Sequence, residues 1–182
     1  TIIYDEFGED GILARLSNPL FFQACSNVLG YDWDSSGSTT VTCGVLKNAF
    51  DSIDVGGKVT LSGGGEGEKI DVGGTLDVDG PLKFVDIDVG GTVKITGDAE
   101  GGTIDVGGKL EVGKSLKMTG RLDVGGTTEV QEALRAESIS IGGLLRARRI
   151  EAEDSVRVGG RIETDEGVKA AKVEIGKRGR II

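Results

Sequence analysis

Ile53-Asp54-Val55-Gly56-Gly57 is a phrase that returns as Ile70-Asp71-Val72-Gly73-Gly74, Ile87-Asp88-Val89-Gly90-Gly91 and Ile104-Asp105-Val106-Gly107-Gly108, each start 17 residues after the last. Looser copies follow as Leu122-Asp123-Val124-Gly125-Gly126, Ile139-Ser140-Ile141-Gly142-Gly143, Val156-Arg157-Val158-Gly159-Gly160 and Val173-Glu174-Ile175-Gly176. Only the step from Ile104 to Leu122 departs from the period, at 18. A short fixed period kept over 130 residues is the mark of a solenoid, whose units bury their apolar sides only against neighbouring units.

Each phrase carries apolar side chains at its first and third positions, which is the period of a strand and not of a helix. The alternation recurs twice more per repeat. Leu76/Val78 and Leu82/Phe84 follow Ile70/Val72; Val93/Ile95 and the weaker Ala99/Gly101 follow Ile87/Val89; Leu110/Val112 and Leu116/Met118 follow Ile104/Val106. Three short strands per repeat predict an all-β solenoid over residues 53–182, a right-handed three-sided parallel β-helix with 17-residue coils. Seven coils at about 4.8 Å make a rod roughly 35 Å long. The expected axial core is Ile53, Val55, Ile70, Val72, Ile87, Val89, Ile104, Val106, Leu122, Val124, Ile139, Ile141, Val156 and Val158, with the intervening aspartates pointing outward. Gly56, Gly57, Gly73, Gly74, Gly90, Gly91, Gly107 and Gly108 are expected at the corner after the first strand, where glycine permits positive φ and a tight turn. The left-handed helix of hexapeptide acyltransferases is the competing three-sided form, but it runs in units of six. The calcium-binding nonapeptide roll needs a glycine-aspartate repeat that Ser62-Gly63-Gly64-Gly65-Glu66-Gly67-Glu68 resembles only once, so that stretch reads as a flexible corner.

Residues 1–52 differ in composition. They hold seven of the eight aromatics but five of the 32 glycines, which places a domain boundary near Ser52. The pattern there is helical: a short helix over residues 9–16, a second begun by Ser17-Asn18-Pro19 with Phe21, Cys25, Val28 and Leu29 on one face and Gly30 as its stop, and a third capped by Ser38 or Thr39 and lined by Val41, Val45, Leu46 and Ala49. Three short helices make a marginal core alone, so this small N-terminal helical segment is expected to cap the open end of the solenoid.

Net charge is −9, which argues against a general nucleic-acid binder. From Leu144 onward ten Lys/Arg face seven Asp/Glu, net +3, whereas the residues before it carry net −12. This is drift among solvated positions or an axial polarity that aids end-to-end association. The absence of histidine removes Ser-His-Asp and Cys-His catalysis and histidine metal sites. Cys25 and Cys43 read as buried thiols in a reducing compartment rather than as a redox pair. No signal peptide and no apolar run of about 18 residues is evident. Thr1 in place of Met is expected to mark a missing N-terminus. The expectation is a cytoplasmic protein without cofactor, with a membrane-surface role disfavoured.

Two resemblances add to this reading. Ala14-Arg15-Leu16-Ser17-Asn18-Pro19-Leu20-Phe21-Phe22-Gln23-Ala24, Val28-Leu29-Gly30-Tyr31-Asp32-Trp33 and Ser35-Ser36-Gly37 resemble a stretch of an uncharacterised prokaryotic family that carries histidine at the position of Asp34. The glycine-paired coils of residues 53–182, with the ending Val173-Glu174-Ile175-Gly176-Lys177-Arg178, resemble bactofilins, especially their archaeal relatives. That resemblance implies a right-handed three-sided β-helix that polymerises end to end without nucleotide as a cytoskeletal scaffold. Bactofilin solenoids are usually flanked by short disordered tails, from which the helical segment departs.

Several clusters are candidates for chemistry. The column Asp54, Asp71, Asp88, Asp105 and Asp123 places like charges about 5 Å apart, which a cation between coils would relieve. The plainer expectation is a solvated face relieved by Lys58, Lys94 and Lys109, and the column breaks at Ser140 and Arg157. Ser35-Ser36-Gly37-Ser38-Thr39-Thr40 before a helix resembles a phosphate cradle but lacks the lysine and glycine spacing of a P-loop, and reads as a capped loop. Trp33 between Asp32 and Asp34 suits stacking on a sugar or base, or packing under the cap. Together these point to a non-enzymatic structural protein that self-associates through solenoid ends. The alternatives are a β-helix module binding polysaccharide or a protein partner, against which the single solenoid aromatic Phe84 counts, and an acyltransferase.

Overall fold

β-Branched and apolar residues alternate with polar ones in runs of three to five, separated by glycines, and such runs favour extended backbone that is half buried. The structure, a computed structural model, describes residues 32–33, 39–44, 49–176 and 179–182, with side chains from Ser52 onward. In chain order the strands are β1 (Asp32–Trp33), β2 (Thr39–Gly44), β3 (Ala49–Val55), β4 (Lys58–Ser62), β5 (Gly65–Val72), β6 (Thr75–Asp79), β7 (Leu82–Val89), β8 (Thr92–Ile95), β9 (Ala99–Val106), β10 (Lys109–Val112), β11 (Leu116–Met118), β12 (Arg121–Val124), β13 (Thr127–Ile141), β14 (Leu144–Val158), β15 (Arg161–Glu163), β16 (Val168–Lys169) and β17 (Lys172–Ile175). No helix occurs among the described residues.

Among the described residues, apart from β1, which lies antiparallel to β2, every pairing of these strands is parallel and joins residues 16 to 18 apart, so the chain winds as an all-β parallel solenoid of about seven turns. Three columns of strands result. The first face stacks Ile53, Ile70, Ile87, Ile104, Leu122, Ile139, Val156 and Val173 in register. The second stacks Val41, Val59, Leu76, Val93, Leu110, Thr128, Leu145 and Ile162. The third stacks Leu82, Ala99, Leu116, Leu134, Ile150 and Val168. The inward side chains form one continuous apolar cluster along the axis, including Ile53, Val55, Ile70, Val72, Ile87, Val89, Ile104, Val106, Leu122, Val124, Ile139, Ile141, Val156 and Val158.

The 18-residue step is absorbed at a corner. Met118 still sits opposite Gly101, 17 residues back, whereas Leu122 sits opposite Ile104, so the extra residue lies between them. There Thr119 and Gly120 donate backbone hydrogen bonds to the Gly101 and Gly102 carbonyls at 2.8 and 3.1 Å. The weak apolar pair Ala99/Gly101 also finds its reason. A Cβ on Gly101 would lie 2.4 Å from the Phe84 ring, so the glycine makes room for that aromatic in the adjacent coil.

Three expectations are corrected. The third helix, expected from Thr39 to Ala49, is replaced by β2 and the start of β3. Thr39-Thr40-Val41-Thr42-Cys43 is rich in β-branched residues, and β2 gains a complete ladder to β4, from Thr40 opposite Lys58 to Gly44 opposite Ser62. Solenoid pairing therefore reaches back to residue 40, and the boundary expected near Ser52 falls inside β3. The helices expected over residues 9–16 and 19–29 lie outside the described residues. Finally, none of the paired corner glycines has positive φ; among the described residues that conformation belongs to Gly63, Gly64, Gly80 and Gly167. The pairs are demanded instead by backbone crowding between coils. A Cβ built on Gly73, Gly74, Gly90, Gly91, Gly107 or Gly108 would lie 2.3 to 2.9 Å from the carbonyl oxygen of the glycine one coil earlier.

Candidate functional site: the charged rungs and glycine corner of the first face

Parallel register brings residues one period apart into lateral contact, so any column in the sequence becomes a physical ladder. On the first face Asp54, Asp71, Asp88, Asp105 and Asp123 lie side by side, followed by Ser140, Arg157 and Glu174. Adjacent carboxylates about 4.8 Å apart in water repel by roughly 1 kcal/mol, which a solvated strand face tolerates. The cations that relieve them are not those expected. Lys58 pairs with Asp77 at 2.5 Å and Lys109 with Glu111 and Glu129 at 2.5 and 3.6 Å, all on the second face. Lys94 stacks there between Asp77 and Glu111. Asp71 is met instead by Lys69 at 3.9 Å, and Asp123 by Arg121, each two residues earlier on its own strand. Among the described residues no group of three or more Cys, Asp or Glu is placed to share a metal ion.

Beside the C-terminal rungs lies a shallow groove of about 410 Å³. Its floor is the glycine column Gly125, Gly142, Gly159 and Gly176, and its wall carries Asp123, Ser140, Arg157 and Glu174. The groove exists because the crowded corner admits no side chains. Its charges are engaged with one another: the Arg157 guanidinium donates to Glu174 at 2.8 Å, and Lys172 approaches the same carboxylate at 2.6 Å. Hydrogen bonds from Lys172 and then Arg157 hold the Glu174 carboxyl below the usual carboxylate range.

The other two faces carry ladders that single-residue reading misses. On the third, Glu66, Lys83, Glu100, Lys117, Arg135, Glu151 and Lys169 stack in sequence, with one like-charge step between Lys117 and Arg135. Lys117 donates to Glu100 at 2.7 Å, and Arg135 reaches Glu151 at 2.7 Å. The hydrogen bond from Lys117 lowers the Glu100 pKa. On the second face Arg146 bridges coils by donating to Glu163 at 2.7 Å, with Glu129 at 3.7 Å on its other side. The bond to Glu163 raises the Arg146 pKa, as the bond to Glu111 raises that of Lys109. The pairs between coils are legible in the sequence once opposite charges are sought at the coil period.

One polar side chain is out of place. Thr128 stacks in register between Leu110 and Leu145, is fully buried, and its Oγ1 has no hydrogen-bond partner. The helix N-terminus expected to let Ser35–Thr40 hold phosphate is absent, because Thr39–Gly44 is a strand. Trp33 lies opposite Thr39 in the short antiparallel pair. Cys25 falls outside the described residues, and the helical face expected for Cys43 is a strand opposite Leu61.

The sequence pattern of a family described as "Protein of unknown function (DUF763)" matches residues 1–74, under half of the chain. The match includes the stretch whose resemblance to an uncharacterised family is described above, and it runs on through β3, β4 and β5 to Gly74. No curated protein and no solved structure matches the chain. Among the described residues no helix is long and apolar enough to cross a membrane.

Proposed function

We propose that this chain is a non-enzymatic structural scaffold that self-associates through solenoid ends, in the manner of the bactofilins its coils resemble. The outermost C-terminal coil carries the reading. Four large apolar side chains are exposed among the described residues, and three of them, Val173, Ile181 and Ile182, belong to that coil. Val173 is 40 % exposed although its register partner Val156 is fully buried. Among the described residues β17 pairs only with β14, and an open strand edge invites another strand.

Light scattering and electron microscopy of the 182-residue chain over a concentration series test this. Dimers or filaments that grow with concentration are expected, and a chain that stays monomeric throughout refutes it. The segment before β2 is proposed to close the opposite end. Since Thr39–Gly44 is part of the solenoid, the truncation that tests a cap removes residues 1–38. Longer assemblies are expected from it, and a truncated chain that remains monomeric and folded removes the capping role.

A further inference from the structure

We infer that Asp79-Gly80 is a site of spontaneous aspartyl isomerisation that the Thr96 hydroxyl of the next coil holds shut. In this modification the Gly80 nitrogen attacks the side-chain carboxyl carbon of Asp79. A C–N bond forms, a carboxyl C–O bond breaks, and the departing oxygen leaves as water with the amide proton. The cyclic imide then takes up one water. Opening at the original carbonyl leaves the backbone running through the side-chain carbon, as isoaspartate. Nothing is oxidised or reduced, and water is the only co-reactant.

The sequence makes this step the susceptible one. A side chain after aspartate crowds the attacking nitrogen, and glycine has none. Asp54, Asp71, Asp88, Asp105 and Asp123 are each followed by valine, whereas among the described residues Asp79 is the one aspartate followed by glycine. The fold requires that glycine. Gly80 has a φ of 127°, and a Cβ there would lie 2.7 Å from the Gly64 nitrogen and 2.8 Å from the Gly63 carbonyl carbon. Asp79 is exposed, so water reaches its carboxyl.

The restraint comes from the neighbouring coils. The Gly80 amide donates to Thr96 Oγ1 at 2.8 Å, and the same hydroxyl donates to Asp79 Oδ1 at 3.0 Å. A hydroxyl does both at once because it has one donor and two acceptor sites. One side chain therefore holds both reacting groups: the nitrogen that must lose its proton, and the carboxyl that must swing to meet it. Thr96 is itself fixed, its amide donating to the Val78 carbonyl at 2.9 Å. On the other side the Asp79 carbonyl accepts from the Gly63 amide at 2.7 Å. The Asp79–Gly80 peptide is thus gripped by the coil before it and the coil after it.

The test ages the full chain in neutral buffer below its melting temperature. Isoaspartate is read by mass spectrometry of its peptides, which separates residue 79 from Asp10, also followed by glycine. Thr96→Val and Thr96→Ala remove both hydrogen bonds, and isoaspartate at residue 79 is expected to accumulate about tenfold faster in each than in the parent. Thr96→Ser keeps the hydroxyl and is expected to age like the parent. In urea, where no coils stack, all four chains are expected to isomerise alike. Either hydroxyl-free variant, folded by circular dichroism yet ageing no faster than the parent, overturns the inference. So does a folded parent that isomerises as fast as it does in urea, a comparison that needs no variant to fold.

Discussion

Gly142→Ala tests whether coil-to-coil backbone contact, and not corner conformation, requires the glycine pairs. The new Cβ would stand 2.0 Å from the Gly125 oxygen and 2.9 Å from its carbonyl carbon, both backbone atoms that cannot swing aside. Relief to an ordinary contact needs more than 1 Å of separation between two coils held by the Gly142 amide on the Val124 carbonyl and the Gly143 amide on the Gly126 carbonyl, both at 2.8 Å. Losing one or two such bonds costs about 0.5–1.5 kcal/mol each. Strain in the neighbouring core adds about 1–3 kcal/mol. A destabilisation of about 2–4 kcal/mol corresponds to a fall in melting temperature of roughly 5–15 °C for a chain of this size. Gly56→Ala is the control, since among the described residues a Cβ there meets nothing within 4 Å. It is expected to stay within about 0.5 kcal/mol of the parent. Thermal and urea melts followed by far-ultraviolet circular dichroism compare the two. Equal losses, or a Gly142→Ala chain as stable as the parent, would refute the crowding argument.

Thr128→Val should raise stability by about 1 kcal/mol, because it removes a buried hydroxyl without a partner while keeping the shape, and an unchanged or lower urea midpoint would contradict this. Val89→Asp places a charge at a fully buried axial position and is expected to cost several kcal/mol, whereas Asp88→Asn on the exposed neighbour should cost little; equal melting losses would overturn the inside–outside assignment. The lowered pKa of Glu100, caused first by the Lys117 hydrogen bond, implies a contribution present above the ordinary value of 4.5 and lost as pH falls through the folded value. The stability difference between the parent and Glu100→Gln should therefore shrink on acidification below about pH 4.5, and a difference that widens there counts against the pair. Lys109 and Arg146 carry raised values and act in the opposite window, their contributions being complete at neutral pH and lost only as strongly alkaline pH passes through them.

The repeat by itself determined the coil, the parallel stacking and the division of side chains into axis and surface. Period-two alternation is a property of neighbouring residues, and a 17-residue recurrence leaves one way for successive coils to bury their apolar sides. Tertiary contact decided the rest. Val41, Val45, Leu46 and Ala49 fit a helical face as well as Val41 and Cys43 fit a strand, and the ladder from Thr40 to Lys58 settles residues 39–44 as strand. The same glycine pairs suit a tight turn and a close approach. Only the distance from each glycine to the carbonyl one coil away separates the two, and that distance is set by the hydrogen-bonded spacing of the stack, not by the corner. The partners of Lys58 and Lys109 followed from which face each lysine occupies. The isolation of the Thr128 hydroxyl depended on what its neighbours in the adjacent coils, Leu110 and Leu145, could offer it. Apart from the pairing of Lys109 with Glu111 on its own strand, each of these is an interaction between residues about one coil apart, which local sequence carries only once the stacking is known.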